Sequence, residues 1–431
     1  MSTLKVNKLR DTAGAADAIT LDPNGGAVLA GVTTMTTARV TSGIVTNTFI
    51  VGAGVTISES GIEASGIGIT CANINGAQIA GRRNMIINGA MQVAQRGTTS
   101  TDSGYKTIDR WDTTKSGMDQ LALTQKQVSD SPNEGYSYSY EVDITTAETA
   151  QAGDEYLRVQ HIVEAQDLQH LAYGTSSAKS TTLSFWVKAK QTGTYAVNFY
   201  SSDGTRHISR TYTISAEATW EHKTVTIPGD TSGTINNDTG SGIHIAFLLI
   251  ADSGYVSSDS TSWGSYSDAG YAYGHNVNVG SSSDNYWKIT GVQWEVGTQA
   301  TAFEHRSFGE ELSLCQRYFY MHANGEFNLS STDRCPIGLG YGYTGTDGYV
   351  FITFPTKMRS NPSLYKVVGT DYFNFAYNNN NGYPNDISAN RVSNQVCELN
   401  FHTGSSWDQN AAGMFRTYNT AARIGFDAEL S

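Results

Sequence analysis

Aromatic side chains set among small polar ones are the residues here with the clearest chemistry. The stretch 261–276 reads TSWGSYSDAGYAYGHN and places Trp263, Tyr266, Tyr271 and Tyr273 among Ser, Gly, Asn and Asp. A second stretch, 372–385, does the same with Tyr372, Tyr377 and Tyr383, and Trp407 joins the set. Tyr and Trp offer flat apolar faces at low entropic cost, while Ser, Asn and Asp supply hydrogen bonds. Sugars need both, because their C–H faces stack on rings and their hydroxyls bond to amides and carboxylates. These eight residues are therefore the candidate carbohydrate contacts, with core or trimer-interface packing as the competing role.

Catalytic patterns fare worse. Gly340-Tyr341-Gly342-Tyr343-Thr344-Gly345 matches a dinucleotide fingerprint in letters, yet no amphipathic helix follows it. Gly229-Asp230-Thr231-Ser232-Gly233 has its serine off-centre and lacks the strand–turn–helix setting of a nucleophile elbow. Asp109 with Asp112, Asp154 with Glu155, and Glu310 with Glu311 are paired acids; Asp154 and Glu155, adjacent on a strand, would face opposite ways and make a poor catalytic pair. The nine His form no HExxH, and the four Cys (Cys71, Cys315, Cys335, Cys397) form no CxxC. Loop acids and carbonyls of a β-sandwich would suit Ca²⁺, though no ligand set stands out. The expectation is no catalytic residue, no metal and no cofactor.

The elements that must hold these residues are strands. The 431 residues hold 44 Gly, 7 Pro and 46 aromatics, only 16% are charged, and long Ala/Glu/Lys/Leu-rich periodic stretches are missing. At roughly 150 residues per domain the length suggests two or three domains. A net charge of −12 disfavours nucleic acid. The longest apolar run, Ile245–Ala251, has a strand's length, far below the roughly 20 residues of a membrane helix. The opening Met1-Ser2-Thr3-Leu4-Lys5-Val6-Asn7-Lys8 has no apolar core, so no signal peptide is expected.

Composition shifts sharply near Asn84. Residues 1–84 hold one aromatic, Phe49, and are nearly neutral, so the remainder is acidic and aromatic. Between 41 and 79 short Ile/Val runs alternate with Gly and small residues. One such chain buries too little apolar area to offset its ordering entropy. Several copies wound about one axis would share that Ile/Val edge, which predicts a homotrimeric stalk over 1–84. Residues 85–308 read as a β-sandwich: Leu183, Phe185 and Val187 alternate, a turn follows at Gly193-Thr194, and Tyr195–Tyr200 resumes as a hairpin would. Strand 243–251 lacks alternation and should be covered on both faces. Residues 309–431 form a second β unit, with a helical turn at 310–316 and strands at 349–354 and 372–377.

Several collinear segments resemble tail-fibre and related virion proteins of marine bacteriophages, especially cyanophages. They are residues 82–97 (RRNMIINGAMQVAQRG), Asp109-Arg110-Trp111, 184–189 (SFWVKA), 291–297 (GVQWEVG), 300–306 (ATAFEHR) and Cys315-Gln316-Arg317-Tyr318. Where that family commonly has Leu, this chain has Trp294. The resemblance implies a phage fibre with an N-terminal virion anchor and trimeric β stalk (1–84) and a jelly-roll sandwich like carbohydrate-binding modules (85–308). The C-terminal unit (309–431) matches less clearly and is expected as a β-sandwich head, which makes the whole all-β. It implies partners as well: two further copies of the chain, tail or virion proteins at the N-terminus, and a host cell-surface glycan, with no nucleic acid and no membrane insertion. The expected location is the virion, after synthesis in the bacterial cytoplasm. The alternatives are a structural fibre or decoration protein without receptor specificity, and a polysaccharide depolymerase.

Overall fold

The computed structural model describes residues 82–430, apart from 149–152, 328–333 and 404–406. Before residue 82 it describes only short backbone strands, such as Asp17–Leu21 and Val55–Ser58, paired antiparallel with their neighbours. The expected anchor and stalk thus lie almost wholly outside the described residues. The chain forms two compact units, Met1–Cys71 and Ala72–Ser431. Both β modules after residue 84 belong to the second.

The first module is a jelly-roll sandwich of two six-stranded antiparallel sheets. One runs, in spatial order, Trp111–Ser116, Tyr156–Glu164, Ser241–Ala251, Gly193–Ser201, Arg206–Ile214 and Gly264–Ser265. The other runs Glu221–Ile227, Thr181–Ala189, Tyr286–Val296, Ser139–Thr146, Ala122–Val128 and Thr99–Ser100. Period-two alternation sends Leu183, Phe185 and Val187 from one sheet, and Val197, Phe199, Ile245 and Phe247 from the other, into one core. Each such side chain contributes roughly 1.5–3 kcal/mol of transfer free energy. Strand Ser241–Ala251 is central and buried on both faces, as its unbroken apolar run predicts. Its Ile245, Phe247 and Leu249 enter the main core, whereas Ala246 and Leu248 lie under Tyr271 and Ala272.

One local expectation fails. Thr181–Ala189 and Gly193–Ser201 are not a hairpin: the first pairs with Glu221–Ile227 and Tyr286–Val296, the second with Arg206–Ile214 and Ser241–Ala251. Residues 190–192 carry the chain from one layer to the other. Alternation marks both strands as half-buried but says nothing about which neighbour satisfies their hydrogen bonds. The hairpin forms one connection later, between Ser201 and Arg206. Trp294 is buried at a tilt against Phe199, ring centroids 5.8 Å apart, and its Nε1 has no hydrogen-bond partner.

The C-terminal module opens with the helix Phe308–Gln316, where Ser307 Oγ accepts from Glu310 N at 3.3 Å. A three-stranded sheet (Phe319–Asn324, Arg423–Asp427, Ser363–Val367) then packs with a seven-stranded one. Phe373, Phe375, Phe401, Phe415 and Phe426 fill their core. The glycine-rich Pro336–Gly342 is an inner strand of the seven-stranded sheet, not an edge. A Cβ on Gly340 would stand 2.1 Å from Tyr349 O, which explains the glycine without any nucleotide.

Candidate functional site

The two sheets of the sandwich differ in what covers their outer faces. On the sheet holding Ser241–Ala251, residues opposite the core-facing set point outward: Arg158, Gln160, Ala196, Asn198, Tyr200, His244 and Ala246. The connection between Ala251 and Tyr286 folds back over part of this face and buries Tyr271 and Ala272 against Ala196, Ala246 and Leu248. What stays open is a recess of about 300 Å³ lined by Arg158, Asn198, Tyr200, His244, Ala246, Tyr266 and Tyr271. That is the lower end of the size range of small-molecule sites.

Small residues create the space. Ala246 sits opposite Asn198 in the ladder, and neither fills the volume a large side chain would take. Aromatic rings wall it: Tyr200 lies edge-on to Tyr266 at 5.1 Å and to His244 at 5.4 Å, and Tyr266 lies 5.2 Å from His207. Tyr266 Oη donates to Asp268 Oδ1 at 2.7 Å, which orients its ring. Asn198 is fully buried, with Nδ2 donating to Ser209 Oγ at 2.9 Å, yet its Oδ1 has no partner. Arg158 Nη1 donates to Tyr271 Oη at 2.7 Å.

Burial sets the electrostatics. The His244 imidazole is pushed down to about 4 by burial and then by the nearby Arg158 charge, and burial lowers His207 too. Both rings are neutral near pH 7. Burial alone would lower the Arg158 guanidinium, but Tyr271, Tyr156 and Asp112 outweigh it, so the net shift is upward. The recess thus combines flat rings with one cation in its lining. No set of three His, Cys, Asp or Glu side chains converges for a metal ion among the described residues. Cys315, Cys335 and Cys397 are free thiols.

The eight expected contacts separate. Tyr266 and Tyr271 line the recess, Tyr266 exposed and Tyr271 a buried wall. Tyr273 lines a neighbouring hollow of about 200 Å³ with Thr194, Arg210 and Thr261. Trp263 is half-buried against Tyr173, and its Nε1 donates to Pro228 O at 2.7 Å. In the C-terminal module, Tyr377 and Trp407 are buried in the core, with Trp407 Nε1 donating to Thr344 O at 2.9 Å. They pack and offer no free face. Tyr372 packs partly on that core, and Tyr383 meets Tyr418 edge-on at 5.1 Å, near the surface. Arg158, Asn198, Tyr200 and His244 escaped the sequence reading. Their signal was present: on strand 193–201, Ala196, Asn198 and Tyr200 alternate with the core-facing set.

No family model and no curated relative matches the sequence. Solved structures resemble parts of it at low identity. The enzymatically active domain of tailspike protein 4 from bacteriophage CBA120 is 13% identical with a TM-score of 0.29, covering 49% of this chain and 21% of that one. The match thus spans about a fifth of that domain's length. A family 11 carbohydrate-binding module from Clostridium thermocellum, solved with a mixed-linked tetrasaccharide, is 16% identical with a TM-score of 0.24, covering 48% of this chain and 98% of the module. The C-terminal family 22 module of Xyn10B from the same organism is 12% identical with a TM-score of 0.24, covering 48% and 98%. At such scores these likenesses say nothing about ligand.

Proposed function

We propose that the chain is a bacteriophage tail fibre that binds a host-surface glycan through the recess on the sandwich's outer face and performs no catalysis. One observation carries the reading: the rings of Tyr200 and Tyr266, 5.1 Å apart, wall an open recess of about 300 Å³ on the sandwich's outer face. The collinear resemblance of residues 82–318 to phage fibre segments supports the virion setting. The Ile/Val-rich 41–79 supports assembly of three copies, with the N-terminal segment held by virion proteins.

A second feature favours self-association. The seven-stranded sheet exposes a contiguous apolar face, with Leu339 77% and Phe351 64% exposed beside Tyr341, Val396 and Met414. Packing against other copies would cover it. Light scattering should show a trimer for the full chain, and Leu339→Glu with Phe351→Glu should lower its mass.

The glycan reading is tested by titrating full-length protein with host polysaccharide fragments. Tyr200→Ala should weaken binding about tenfold, and full-length protein should block phage adsorption. Binding unchanged in Tyr200→Ala would place the site elsewhere. Release of reducing ends from the polysaccharide would overturn the non-enzymatic reading, and antibody labelling on the head would replace a tail fibre with a decoration protein.

A further inference from the structure

We propose that the recess selects an anionic sugar residue, a uronate or a sulfated sugar, whose acid group is held by Arg158; this rests on the saccharide reading above. Most other buried or half-buried arginines of the second unit are ion-paired, although Arg210, which donates to the carbonyls of Thr226 and Thr261, and the pair Arg334 and Arg416 also lack a carboxylate. Arg96 has Asp427 at 3.0 Å, Arg206 has Asp230 at 2.7 Å, Arg306 has Glu311 at 3.3 Å, Arg317 has Glu164 at 2.6 Å, and Arg110 is paired with Glu429. Arg359 lacks a carboxylate but donates to three carbonyls, those of Thr239, Ala428 and Glu429.

Arg158 has neither kind of support. Among the described residues no carboxylate lies within 4 Å of it, and its one hydrogen bond goes to the neutral Tyr271 hydroxyl. Its Nε is buried without a partner. The nearby acids, Asp112 and Asp268, bond the neutral Thr114, Gln160 and Tyr266; Asp112 adds to the upward shift of Arg158 from a distance but makes no ion pair with it. With His207 and His244 neutral, Arg158 is the one charged side chain among the residues that line the recess, and it has no carboxylate in contact. A guanidinium with a single hydrogen bond and no ion pair has N–H donors left for an entering acid group. Guanidinium also bonds carboxylate and sulfate oxygens more strongly than hydroxyls. Ala246 leaves room for the ring, and Tyr200 and Tyr266 flank it.

The competing role for Arg158 is structural, holding Tyr271 and the covering connection in place. Selectivity separates the two roles, because a loosened recess weakens acidic and neutral sugars alike. Full-length protein would be titrated with galacturonate oligomers, sulfated galactose oligomers, neutral galactose oligomers of equal length, and inorganic sulfate. The expected result is at least about tenfold preference for one anionic sugar over the neutral one, with inorganic sulfate far weaker. Arg158→Gln should erase that preference while neutral binding stays within about twofold, and Arg158→Lys should restore part of it. Arg334→Gln with Arg416→Gln, an arginine pair in the C-terminal module that shares Asn374 Oδ1, should leave it intact. Preference that survives Arg158→Gln, or neutral and acidic sugars bound equally, overturns this proposal and leaves the saccharide reading standing. Failure of every sugar to bind overturns both.

Discussion

At the scale of single residues, buried imidazoles give the molecule a pH dependence whose sign follows from their surroundings. Burial pushes His244 and His275 down to about 4, against 6.5 when exposed. Between those values the unfolded chain binds protons that the folded chain refuses, so stability falls as pH drops from about 6.5 towards 4. Each ring accounts for at most about 3 kcal/mol. Asp109 acts oppositely: burial raises it to about 6, so the folded state takes its proton first and gains stability as pH falls from 6 to 3.8. Two imidazoles outweigh one carboxyl, and urea melts at pH 7 and 4.5 should show a net acid loss. His244→Gln should make that loss shallower. Composition flagged Tyr266 and Tyr271, because loop aromatics among Ser and Gly stand out in the text. It did not flag Arg158 or His244, single polar residues on strands that become neighbours only through pairing.

At the scale of elements, strand Tyr286–Val296 shows how one backbone conformation sets a local path. Gly291 has φ +61°, and a Cβ there would lie 2.6 Å from the Tyr136 ring. The same stretch carries a register shift against Thr181–Ala189. Gly291→Ala should therefore cost both left-handed strain and a clash, about 2–3 kcal/mol by denaturant melt. The helix Phe308–Gln316 depends on its cap: Ser307→Ala should cost about 1 kcal/mol. Strand positions were legible from alternation, and the helix only as a turn at 310–316, short of its start at Phe308. The layer change at 190–192 was not, because pairing partners are a property of the sheet.

At the scale of the whole second unit, the sandwich grips the end of the C-terminal module. Arg110 is buried, pairs with Glu429, donates to Ile162 O, and lies 3.5 Å over the Tyr318 ring. Arg96, stacked on Phe319 at 3.5 Å, reaches Asp427 and Glu429. Tyr105 Oη donates to Leu430 O at 2.9 Å. Removing one partner leaves a buried charge uncompensated, so Glu429→Gln should cost about 3–5 kcal/mol. Calorimetry should show the two modules melting as one transition in the parent, at a lower temperature in the variant. A fragment of residues 309–431 would lose these counter-ions, and adsorption is better tested with the full chain.

The sequence alone determined the all-β class, the composition break near residue 84 and the collinear fibre-like segments. All three are written in local pattern: alternation, turn residues and residue frequencies. Only the tertiary structure decided which aromatics serve as core and which as walls, and that Arg158 lies in a recess without a counter-ion. Burial and charge compensation depend on strands 40 to 110 residues apart in sequence, such as Tyr156–Glu164 and Gly264–Ser265, meeting through the sheet. No local pattern encodes that meeting.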